Sequence, residues 1–255
     1  MSELQETLRR EAAAPTAPGV AAIDQGLRRY MLAVYNKVAL GLVVAGGLAY
    51  ATSSIPVLRD LMFKAAPAGS ASSVQLTMVG AMVAFAPIIV LLMSMKTLSQ
   101  PTPRSTGLIY WTIVSLFGAS MGVMVLSFTG LSIATTFAIA ATAFGGLSLY
   151  GYSTRKDLTA FGSFLTVGLI GLIGSLVLNL FLRSPAMDFV ANLVGTFIFA
   201  GLIAYDTQRL KTAYYTLGGD EAARGVASNF GALSLFINFL NLFQFLLMML
   251  SGERR

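Results

Sequence analysis

The sequence has no cysteine and no histidine, and charged residues make up only 11% of it. Without cysteine there are no thiol nucleophiles, disulfides or iron–sulfur clusters. Without histidine the usual haem and zinc ligands are missing too. A Ser–His pair cannot form, which excludes serine proteolysis of that type. Paired-carboxylate acid–base chemistry needs two acids side by side, and the nearest match to a GxGD motif, Asp220 in LGGD, lies in a polar loop. We therefore expect no enzyme and no bound cofactor.

What is abundant is apolar surface. Of 255 residues, 56% are hydrophobic, against about 45–50% apolar and about 25% charged in soluble domains. A soluble fold of this size could not hide so much apolar area. The chain reads as an all-α integral membrane protein. Runs such as AFAPIIVLLM are apolar on every face, whereas a membrane β-barrel strand alternates. The formal charge of +6 then reflects loop lysines and arginines rather than affinity for nucleic acid.

A spanning helix needs roughly 20 apolar residues. Seven segments qualify: 31–51, 74–94, 106–126, 131–150, 161–182, 189–210 and 230–250. Residues 1–29 read as a flexible polar tail, with no pattern of a cleaved signal, ahead of a seven-helix domain over 30–255. With the amino terminus inside, the inner segments hold eleven Lys and Arg and the outer ones five, which favours a cytoplasmic amino terminus and an external carboxyl terminus. Lys37 lies inside the first span and is expected to snorkel to its cytoplasmic end. Gly118 and Gly122, and likewise Gly171 and Ser175, have the spacing of close helix contacts. Trp111 and Tyr110 fit an interfacial belt.

Polar groups at membrane depth carry the functional information, because burying them costs free energy. One acid qualifies, Asp206. It reads either as an ion- or proton-responsive carboxylate or as an interfacial acid paired with Arg209 or with Lys96 across the bundle. In the last span Ser234, Asn238 and Asn241 follow i, i+4, i+7 spacing and share one face, with Gln244 at its border. Such a stripe should face the bundle interior, either lining a pathway or stitching helices together.

Three blocks, YGYSTRKDLT (150–159), AYDTQRLK (204–211) and GALSLFINFLNLF (231–243), with Asn179 before Phe181, resemble the transmembrane Bax inhibitor motif family, the Bax inhibitor-1-like proteins, in a bacterial form. The resemblance covers about 28–255. It implies seven helices with the seventh at the centre, a bacterial inner membrane, and a proton-regulated Ca²⁺ leak. It also implies a pH-sensing gate made by an acid in the sixth helix bonded to an acid in the seventh. The first maps onto Asp206, which would also mark the Ca²⁺ pathway. The second maps onto Asn238, where the family pattern has Asp. Two touching carboxylates share a proton and titrate as a pair; an Asp–Asn pair cannot, and it offers a hard cation one charged oxygen ligand fewer. Besides the bilayer, Ca²⁺ and protons, the alternative is a non-conducting regulator whose partner is another membrane protein, such as a protease or stress-response component.

Overall fold

The computed structural model describes residues 18–65, 74–94 and 99–251. Among these described residues, nine helices and two short strands follow in order: α1 (Pro18–Ser54), α2 (Pro56–Met62), β1 (Phe63–Ala65), β2 (Val74–Leu76), α3 (Met78–Met93), α4 (Pro103–Ser120), α5 (Gly122–Ser127), α6 (Gly130–Ser153), α7 (Thr159–Leu182), α8 (Pro185–Thr216) and α9 (Glu221–Ser251). The helix α1 starts within the stretch read as a tail, and its Leu27 is buried.

Hydrocarbon offers no hydrogen bonds, so helix ends must find partners in the chain or at the interface. Here short polar side chains do it. Thr77, Thr102, Thr129 and Ser184 cap α3, α4, α6 and α8, each accepting from the backbone N–H three residues on. Asp220 caps α9 in the same way through Ala223. Pro103 and Pro185 occupy the first helical positions, where the missing N–H costs nothing. Between α6 and α7 the exposed Asp157 accepts from Thr159 N at 2.8 Å, and hydrogen bonds from Thr159 hold its carboxyl below the usual range.

Among the described residues, six helical segments are long and apolar enough to cross a membrane: Gln25–Ser54, Pro103–Ser127, Gly130–Ser153, Thr159–Leu182, Pro185–Thr216 and Glu221–Leu250. The span expected over 74–94 is shorter. Val74–Leu76 pairs antiparallel with Phe63–Ala65 instead of entering a helix, and Thr77, whose N–H donates to Met62 O, starts α3 only at Met78. Sixteen helical residues span ~24 Å, below the ~30 Å of a hydrocarbon core.

The helix α9 packs on α1, α4, α6 and α8, and more of its apolar window is buried (56%) than in any other span. Edge-to-face ring pairs lock it in place: Phe236 meets Tyr110 and Phe117 of α4, and Phe239 meets Phe137 and Phe144 of α6. The helix α7 lies outside, against α8.

The two small-residue pairs diverge. A Cβ on Gly118 would run into the Ala45 backbone, and one on Gly122 would meet Thr52 and Phe63, so α1 approaches α4 and α5 as the spacing predicts. Gly171 has open space at its Cβ position and is exposed, so that pair does not build a helix contact. A repeat of small residues does not say whether a neighbour is there. We predict that Gly118→Val lowers stability by about 1–3 kcal/mol through overpacking, whereas Gly171→Val stays near neutral. Thermal unfolding in detergent checks both, and equal losses would contradict the packing.

Candidate functional site

The acid singled out by the sequence sits inside the bundle. Asp206 lies ten residues before the end of α8, about 15 Å along the axis, and is only 8% exposed. Its Oδ2 accepts hydrogen bonds from Ser234 Oγ at 2.5 Å and from Asn238 Nδ2 at 2.7 Å. Both donors stand on one face of α9, one turn apart. The first two members of the polar stripe thus face the acid. Asn241 does not join them: its Nδ2 donates to Ile237 O of its own helix at 2.9 Å.

Of the alternative partners of Asp206, Arg209 acts on the carboxylate through its charge without a direct ion pair. Among the described residues the single ion pair is Arg59–Asp60, far along the chain at an exposed helix end. Arg209 is exposed and forms no ion pair with Asp206 there. Lys96 lies outside the described residues. An ionised carboxylate accepts only, and a hydroxyl and an amide N–H both donate to it. The two donors therefore suit the charged acid.

The three sequence blocks meet around α8. Gln208 bridges to the 154–158 loop: its Oε1 accepts from Leu158 N at 2.8 Å, and its Nε2 donates to Lys156 O at 2.8 Å. Lys211 Nζ donates to Tyr152 O at 2.7 Å. Gly151 lets α6 approach the Ala204 backbone, and Gly162 makes room for the Tyr205 ring. The end of α8 is thereby tied to the first block and its middle to the third. Asn179 belongs to a separate device: it accepts from Ser184 N and donates to Asp188 Oδ1, closing the turn from α7 to α8 around Arg183.

A second polar cluster escaped sequence reasoning. Lys37 is held by side chains rather than left free. Its Nζ donates to Ser228 Oγ at 3.0 Å and Asn229 Oδ1 at 2.8 Å, both on α9. Asn229 Nδ2 in turn donates to Pro103 O and Thr106 Oγ1 of α4. Tyr110, read as an interfacial ring, is buried and donates to Lys37 O at 2.6 Å. The only signal was Lys37 within an apolar run, together with the Ser228-Asn229 pair ahead of the last span. So α9 is held twice, to a cation on α1 and to an acid on α8.

Removing a donor from a charged acceptor costs about 1.5–3 kcal/mol. Asn238→Leu and Ser234→Ala should each lose stability in that range in detergent, and most of the Asn238→Leu loss should vanish in an Asp206→Asn background. Undiminished loss there would show that Asn238 acts by packing alone.

The chain is similar over nearly its whole length to known proteins. A protein of Caulobacter vibrioides, itself described as uncharacterized, is 58% identical over 91% of this chain and 92% of its own. An uncharacterized protein of Rickettsia prowazekii is 40% identical over 91% and 92%. The inner membrane protein YbhL of Escherichia coli is 29% identical over 94% and 98%. The family described as "Inhibitor of apoptosis-promoting Bax1" matches residues 27–255, and the chain therefore belongs to this Bax inhibitor-like family of membrane proteins.

Proposed function

We propose that the protein is a regulated leak for cations, with Ca²⁺ as the cargo, gated where α8 meets α9. The observation that carries this reading is the buried Asp206, held by Ser234 and Asn238 and paired with no cation among the described residues. Burying an acid costs free energy that simple helix packing does not require. Hard cations need oxygen ligands, and Asp206, Ser234 and Asn238 supply oxygens at one level of the bundle. The bonds across α8 and α9 close the path, and a proton on Asp206 weakens them by removing their charge assistance. The reading assigns no catalytic role to Asp206.

The setting is a bacterial inner membrane, which the name of the Escherichia coli relative supports. The short helix α3, together with the β1–β2 ribbon, completes a seventh crossing in a locally thinned bilayer. Helix α9 is then the centre of the bundle, and the Lys and Arg distribution puts the amino terminus in the cytoplasm and the carboxyl terminus outside.

Asn238 tempers the gate. An amide can donate to an ionised carboxylate or turn over and accept from a protonated one. The pair stays bonded in both states, and one proton replaces the shared-proton titration of two acids. The same observation favours a second reading, a non-conducting regulator that binds another membrane protein such as a protease.

Ca²⁺ flux into proteoliposomes between pH 6 and 8 tests both. We expect wild-type flux with a shallow pH response, a steeper response in Asn238→Asp, and little pH response in Asp206→Asn. Equal steepness in wild type and Asn238→Asp would overturn the gate assignment. Absent wild-type flux, with flux appearing in Asn238→Asp, would select the regulator.

A further inference from the structure

A long apolar groove of about 640 Å³ runs between α1 and α6. Both helices pack on α9 and meet each other through the Tyr35–Phe144 ring pair, and Phe239 of α9 lies in the groove floor. Along α1 the groove reaches from Arg28 to Leu42, fourteen residues or ~21 Å. One leaflet of hydrocarbon is ~15 Å deep. The volume lies within the ~300–1,000 Å³ of ligand sites. The flank on α6 is kept low by Gly145, around whose Cβ position there is open space.

Charge sits at one end only. Arg28 lines the groove beside Tyr152. The Lys211 ammonium lies 5.7 Å from the centre of the Tyr152 ring and donates to the Tyr152 carbonyl. Among the described residues no acid lines the groove. An apolar slot with Arg28 in its lining and Lys211 packed on Tyr152 at the same end matches a molecule with a hydrocarbon chain and an anionic head. Basic pockets between transmembrane helices bind such headgroups.

We propose that this groove is a binding site for an anionic phospholipid, with one acyl chain between α1 and α6 and the phosphate at Arg28 and Lys211. The occupant lies against Phe239, the residue after Asn238, and so touches the helix that holds Asp206. The proposal does not depend on ion conduction.

The test is native mass spectrometry of the purified full chain after incubation with phosphatidylglycerol or with zwitterionic phosphatidylethanolamine. We expect one retained phosphatidylglycerol per chain, and loss of that lipid in Gly145→Phe, whose ring fills the slot. Arg28→Gln and Lys211→Gln should each reduce the preference for phosphatidylglycerol by about fivefold, as expected for one charge at a membrane surface. Arg28 is exposed, so its variant folds even if Gly145→Phe does not. Equal retention in wild type and Gly145→Phe overturns the site, as does an unchanged headgroup preference in Arg28→Gln. A dimer that dissociates in Gly145→Phe also overturns it, because a second copy then covers the groove.

Discussion

A buried polar group in this protein is costly to leave without a partner in the chain, because the surrounding hydrocarbon supplies none. The architecture follows from that constraint. The starts of α3, α4, α6, α8 and α9 are closed by Thr, Ser and Asp side chains. The two ionisable groups placed within apolar spans, Lys37 and Asp206, both reach α9 rather than each other. That is why α9 is both the most apolar-packed helix and the one carrying Ser228, Asn229, Ser234 and Asn238. Its apolar faces lock against the rings of α4 and α6, and its polar positions bond to α1, α4 and α8.

The helix α8 integrates the site. One stretch of eight residues, 204–211, holds α9 through Asp206, the loop ahead of α7 through Gln208, and the end of α6 through Lys211. A shift of α9 against α8 therefore strains contacts reaching both neighbouring helices. Gly151 and Gly162 allow the backbone to come close enough for these bonds to form. Membership of the Bax inhibitor-like family rests on nearly the whole chain, and the three blocks that carry the resemblance are the ones brought together in space.

Much of this was legible in the sequence. Length and hydropathy placed six of the spans, since a run of twenty apolar residues has one stable conformation in lipid. The i, i+4 relation of Ser234 and Asn238 put both on one face, and the scarcity of acids drew attention to Asp206. Other features were not legible. The segment 74–94 is apolar throughout, yet its first residues pair with a strand about ten positions back, a long-range choice that hydropathy does not encode. Gly118 and Gly171 look alike in sequence, but one faces Ala45 and the other faces outward. Lys37 looked free to snorkel because nothing local reveals an acceptor 192 positions away.

The sequence by itself determined that the chain belongs in a membrane, roughly where it crosses, and which acid is costly to place there. These are local properties, set by composition and by the period of the helix. Only the tertiary structure decided that Asp206 meets Ser234 and Asn238 rather than Arg209. It likewise decided that Lys37 meets Ser228 and Asn229 and that α1 and α6 form a groove over Phe239. Those outcomes depend on which helix faces meet, and that is set by packing among several helices at once, not by any one segment.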